Sequence, residues 1–407
     1  MKITHIAVLL VLPLLAASCF KDQDFEPAGT NTASQTQPAR LPSEETRQVM
    51  IMVSGGFNSL STPLTRDLTE LSENYLPTIR SRAEHILLVL SRHTDSGYST
   101  PVAPVLYRLY KDWDGNVVRD TLLRWNKKDQ ITDPKVLKET FIFAKEKFPA
   151  KGYGVVYSSH GSGWIPAENS TKSASLQSIG QDEDTNNVRE MELQEFVDCL
   201  PYKMEYVLFD ACFMACVEVA WALKDKADVV GFSPTEIMND GFDYAHIAER
   251  LLDTEPNPLG VCEDYFAQYS APGVSSPYAS VSLVRTDAMQ PLADICKTLF
   301  EKYREQLATL SIYDVQRYYR LGKNPRFEHL FDLRHMLHKA GATLSERTKL
   351  DEALEACVLY EAHTPYFMSL ELKNVCGLSS YMPSSGTEEL NTFYKTLDWN
   401  KATELIK

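Results

Sequence analysis

The chain has 407 residues, 44% of them hydrophobic and 24% charged, an ordinary composition for a folded protein with room for one large domain or two moderate ones. A formal net charge of −14 argues against a surface for nucleic acid or anionic lipid and is compatible with basic partners or substrates. After the N-terminus no apolar run is long enough to cross a bilayer.

The first stretch, "MKITHIAVLLVLPLLAASC", has a basic Lys2, a short apolar run and small residues before Cys19. That is the pattern of a secretory signal over 1–18. Its "LAASC" ending resembles the lipobox of bacterial lipoproteins, which implies cleavage before Cys19 and lipid on its sulfur; an ordinary signal peptide with an incidental cysteine is the alternative. Residues 19–46, rich in Pro, Ser, Thr and charge, read as a flexible tether. The "KDQD" after the lipid site resembles export signals of some surface-exposed lipoproteins. The expected location is the outer membrane or cell surface of a Gram-negative-type bacterium, with the membrane contacted through the Cys19 lipid.

From residue 47 the pattern alternates between strand and helix. "RQVMIMVSGG" reads as a strand ending in glycines, "TPLTRDLTELSENYLPTIR" as a helix and "HILLVLSR" as a strand. "PVLYRLYKDW" and "VVRDTLLRWN" flank "DGN", a hairpin signal. "DPKVLKETFIFAKEKF" opens on an Asp-Pro helix start. Then come the strand "YGVVYSSHG", the helix "EMELQEFVDCL", the strand "EYVLFDA", an apolar helix over "CFMACVEVAWALKDKA" and the strand "DVVGFSPTE". Such alternation predicts an α/β fold with a mostly parallel central sheet covered by helices, over 47–255. Residues 256–407 are expected to form a mixed C-terminal subdomain packed on that core. Its long helical patterns are "TDAMQPLADICKTLFEKYREQLATL" and "LSERTKLDEALEACVLYEAH", followed by strand-like "LELKNVCGLSSYMP".

The chemistry concentrates at two strand ends. "YGVVYSSHG" delivers His160 and "EYVLFDAC" delivers Cys212. Neighbouring parallel strands would bring both to one sheet edge, where ligands of α/β sheets bind. A cysteine at a strand-to-helix junction is expected to feel the helix start, which favours the thiolate. An imidazole beside it can stabilise the thiolate or protonate a departing amine. Gly161 and Gly163 would let the backbone approach a substrate, and the amides of Gly161 and Cys212 would form an oxyanion hole. Taken singly, each of His160 and Cys212 also reads as an ordinary core or hydrogen-bonding residue.

Of the eight cysteines, seven remain after Cys19, an odd number that leaves at least one thiol unpaired within the chain. Cys262, Cys296, Cys357 and Cys376 sit in apolar surroundings and read as core. Cys216, four residues after Cys212, reads as a core thiol rather than a redox partner. His246, His329, His335, His338 and His363 lack a paired motif. No metal or other cofactor is called for, and calcium dependence is left open.

"SSHGSGW" and "DACFMACVEVA" resemble the His and Cys motifs of the clostripain family of cysteine peptidases, which have a caspase-like fold; the order and the separation of about fifty residues also agree. Weaker echoes run from "GGFNSLSTPLTRDLTEL" through "DLRHML" to "YKTLDWNKAT". The resemblance implies Cys212 as nucleophile, His160 as its partner and Asp210 as an acid lining the S1 pocket for a P1 Arg or Lys. Asp240, in "SPTEIMNDGFDY", would be a second acid, with Phe242 where the family often has Trp. Glu218 matches a family Glu and reads as structural. The resemblance implies an endopeptidase acting on peptides or proteins with Arg or Lys at P1. It also implies a zymogen that cuts itself in the polar stretch "IPAENSTKSASLQSIGQDED", read as an exposed loop, after Lys172 and before Ser173. Arg189 is the poorer site, because helical pattern begins there. The alternatives are a peptidase of the same fold with another P1 choice, which would make Asp210 structural, and a non-catalytic lipoprotein that binds peptides or a partner.

Overall fold

The computed structural model describes residues 45–78, 85–92, 100–166, 179–184, 187–323 and 327–407. The expectations for Cys19, Lys172 and Ser173 lie outside the described residues. Among the strands are β1 (Gln48–Ser54), β2 (Ile86–Ser91), β3 (Val105–Lys111), β4 (Val117–Arg124), β5 (Gly152–Ser158), β6 (Ile179–Asp184), β7 (Asn187–Met191), β8 (Met204–Asp210), β9 (Ala227–Phe232), β10 (Ser280–Arg285), β11 (Leu330–Asp332) and β12 (Val358–His363). Nine of them form one sheet in the order β12-β10-β9-β8-β5-β1-β2-β3-β4. The five central strands, β9 to β2, run parallel, and antiparallel pairs close both flanks.

β1 and β5 are buried along their whole length, as expected of strands covered on both faces. Val49, Ile51 and Val53 of β1 face one core and Met50 and Met52 the other. The first core is covered by α2 (Pro134–Lys147), α3 (Leu193–Cys199), α4 (Val217–Ala222), and later helices. The second is covered by α1 (Ser61–Glu73), α5 (Ile247–Leu251) and α6 (Pro258–Ser270). Asp133 caps α2 by accepting from the Lys135 N–H at 2.9 Å, with Pro134 as first helical residue.

Residues after 255 extend the same sheet through β10 and β12. Leu41–Lys407 forms a single compact unit. The remaining labelled helices are α7 (Met289–Lys302), α8 (Arg304–Thr309), α9 (Leu333–Ala340) and α10 (Leu344–Cys357). The stretch read as one helix from Leu344 to His363 changes at Cys357 into β12, because the backbone of Val358–His363 pairs with β10. Residues 179–184, expected in an exposed loop, form β6, and Arg189 lies in β7 rather than at a helix start. Among the described residues no helix is long and apolar enough to cross a membrane.

Candidate active site

β5 and β8 are adjacent and parallel, with Ser158 opposite Asp210. The Ser159 N–H donates to the Asp210 carbonyl at 3.2 Å. His160 and Cys212, each two residues beyond that last matched pair, therefore leave the sheet at one edge. They line a cleft of about 780 Å³ whose lining also includes Asp210. The glycines after His160 also bear on packing. A Cβ on Gly161 would lie 2.8 Å from the Cys212 carbonyl oxygen, and one on Gly163, at φ +68°, would lie 2.8 Å from the Phe213 oxygen. Their missing side chains let the histidine loop rest directly on the cysteine loop.

The expected helix does not begin at Cys212. Phe213 N–H donates to the Thr235 carbonyl, Ala215 N–H to Ser233, and Ser379 N–H to Ala215. These backbone pairings hold residues 212–216 in a turn and an extended segment, and α4 starts only at Val217. Phe213 sits at φ +60°, a left-handed conformation that costs a non-glycine residue roughly 1–2 kcal/mol. Its buried ring, 4.6 Å from that of Phe327 between centroids, holds it there.

The helix start consequently does not lower the Cys212 pKa. Burial pushes the thiol up to about 12, with the Ile237 N–H, 3.3 Å from Sγ, working against it. Burial also pushes His160 down to about 4. Both side chains open partly to the cleft, but protein encloses them on most sides, and desolvation dominates. The resting pair is thus a neutral thiol and a neutral imidazole. Nε2 of His160 lies 3.0 Å from Ser59 Oγ, a contact that no sequence signal announced. The N–H groups of Gly161 and Cys212 donate to no other residue among those described.

Asp210 is buried and its carboxyl is raised by desolvation, against hydrogen bonds from Tyr244 Oη (2.7 Å) and Ser158 Oγ (3.1 Å). Asp240 lines the mouth of the same cleft, exposed and 3.1 Å from the Arg66 guanidinium. Phe242 is buried against Tyr265. Asp67, which the sequence reading passed over, lines the floor and is 4% exposed. Glu218 is buried outside the catalytic edge, and its Oε1 accepts from Tyr394 Oη at 2.6 Å and Tyr381 N–H at 3.1 Å. All seven described cysteines are free, and Cys212 alone among them is not buried. Among the described residues no cluster is suited to hold a metal ion.

The Clostripain family model matches residues 56–405. No curated protein matches the chain. Among solved structures, an inactive zymogen C11 protease from Parabacteroides distasonis is 26% identical, with a TM-score of 0.74 over 89% of this chain and 99% of its own. A secreted C11 cysteine protease from Bacteroides thetaiotaomicron, in complex with an irreversible peptide inhibitor, is 23% identical, with a TM-score of 0.73 over 88% and 99%. The second likeness concerns the fold alone. The family match extends over almost the whole described chain and over both strand ends that meet at the cleft. The protein belongs to the clostripain family and is a cysteine endopeptidase.

Proposed function

We propose that this endopeptidase is exported, anchored through lipid on Cys19, and cleaves after Arg or Lys with Cys212 as nucleophile and His160 as its acid–base partner. The observation that carries the specificity is the buried carboxyl of Asp210 in the wall of the cleft that also holds His160 and Cys212. A P1 guanidinium or ammonium is the complement of such a group. In the reaction, the Cys212 proton passes to His160 as Sγ bonds to the scissile carbonyl carbon. The oxyanion receives the Gly161 and Cys212 N–H groups, and His160 returns the proton to the departing amine. Water then cleaves the thioester. Asp240, paired with Arg66 at the rim, would add charge at the entrance rather than at the floor.

The competing reading, an uncharged P1, draws on the two side-chain hydrogen bonds that Asp210 already accepts. Self-processing after Lys172 is supported by the zymogen state named for the P. distasonis protein and by the basic residue in the stretch that follows His160.

One set of proteins tests the reading. Peptides differing only at P1 are offered to wild type and Cys212→Ala, and the N-termini formed on incubation are sequenced. We expect hydrolysis after Arg and Lys, lost by several orders of magnitude in Cys212→Ala. A new chain should start at Ser173 in wild type but not in Cys212→Ala or Lys172→Ala. Near-normal turnover by folded Cys212→Ala, or an uncharged preference in wild type, would overturn the corresponding part. Fatty-acid labelling that persisted in Cys19→Ala would remove the anchor.

A further inference from the structure

The floor of the cleft holds a carboxyl group that the reading above leaves without a task. Asp67 sits on the inner side of α1 among the lining residues, 4% exposed. Its carboxyl has no hydrogen-bond or ion-pair partner among the described residues. That sets it apart from the other buried acids. Asp332 accepts from the His335 N–H, the Cys376 N–H and Tyr318 Oη, each at 2.7 Å. Glu218 holds a tyrosine and a backbone amide, as described. Those acids tie segments together. Asp67 ties nothing and faces the space where substrate must lie.

We propose that Asp67 is a second specificity-determining acid of the P1 pocket, receiving the cationic head of an Arg or Lys side chain together with Asp210. This rests on the basic-P1 reading. The groups facing Asp67 are Asp210 at the end of β8, Glu70 and Arg66 on its own helix, Asp240 from the loop after β9, and the hydroxyls of Tyr244 and Tyr269. Arg66 is the one cation among them, and it is turned to Asp240. Burial first, then the charge of Asp210, raises Asp67 from 3.8 to about 9. Two carboxyls in one dry pocket do not both ionise readily. In the free enzyme at neutral pH Asp67 therefore keeps its proton. A guanidinium entering the pocket supplies the absent positive charge, the Asp67 proton leaves to solvent, and the planar fork of donors meets two carboxylates.

The sign of the pH dependence follows. Below about pH 9 each binding event must expel a proton, so the advantage of a charged P1 grows as pH rises towards that value. Substrates with P1 Arg or citrulline, equal in shape but not in charge, cancel the titration of Cys212 and His160 in their kcat/KM ratio. In wild type we expect this ratio to rise about tenfold or more between pH 6 and 9. In Asp67→Asn it should be about tenfold lower at pH 8 and flat with pH. Calorimetry of Arg-peptide binding to Cys212→Ala, in buffers of different ionisation enthalpy, should show proton release with the floor unaltered, so the test survives even if Asp67→Asn misfolds. An Asp67→Asn enzyme that kept both the ratio and its slope, or binding without proton release, would overturn the role of Asp67 while leaving the basic-P1 reading in place. A wild type indifferent between Arg and citrulline would overturn both.

Discussion

Two buried aspartates a short distance beyond the carboxyl ends of the sheet have opposite surroundings. Asp182, on β6, is fully buried against the equally buried Arg92 guanidinium, and it also accepts from the Phe57 N–H (3.0 Å) and the Ile131 N–H (2.7 Å). Burial raises it only to about 6, because Arg92 and the amides hold it down. Asp67 has no such company and stands at about 9. The first is a finished clamp that joins the loops after β1, β2 and β4 to β6. The second is half of an ion pair. The difference teaches that depth alone does not say what a buried acid is for; the presence or absence of its cation does.

Breaking the clamp should give the largest effect. Arg92→Met leaves Asp182 buried without its charge partner and should cost roughly 3–5 kcal/mol in urea unfolding; a loss below about 1 kcal/mol would erase the contrast. The reverse holds at the cleft floor. Because the folded state raises the Asp67 pKa, the stability due to its bound proton is complete below 3.8 and is lost as pH rises towards about 9. Asp67→Asn removes that loss, so it should melt higher than wild type at pH 8, by about 1 kcal/mol or more, with a smaller gain at pH 5. A lower melting point at pH 8 would make Asp67 a structural acid after all. The smallest effect concerns the histidine that the clamp supports. β6 holds it through the Gly180 N–H, which donates to the His160 carbonyl at 2.9 Å, while Ser59 reaches its ring. Ser59→Ala should lower kcat about three- to tenfold with KM little changed, and a kcat within experimental error of wild type would leave the ring oriented by its backbone alone.

The parallel core was legible because its strands are short apolar runs, buried throughout in β1, β2 and β5, and because Asp133-Pro134 and the "DGN" turn mark their neighbours. That His160 and Cys212 would meet at one sheet edge was legible because each lies just beyond such a run. Local pattern failed where backbone pairing from distant segments decided the outcome. Residues 213–216 look helical but are taken by Ser233, Thr235 and Ser379, and Val358–His363 looks like the end of α10 but adds to β10. β6 was hidden because its buried Asp182 is held by Arg92, far away in sequence, rather than by apolar alternation. Asp67 resembles any surface acid between Arg66 and Leu68; only the packing of α1 beneath the cleft reveals its depth.

The order of the sheet has a consequence for any break in the chain between Pro166 and Ile179. The N-terminal piece would keep β1 to β5 and His160, and the C-terminal piece would keep β6 to β12 and Cys212. Neither piece would own both His160 and Cys212. The β5–β8 ladder, matched from Gly154–Tyr206 to Ser158–Asp210, and the Asp182 clamp would act as a non-covalent weld across the cut. A nicked molecule would then be a heterodimer by sequence and a single body by fold, inseparable by dilution and separable by denaturant. Two inactive polypeptides made apart should restore activity when refolded together.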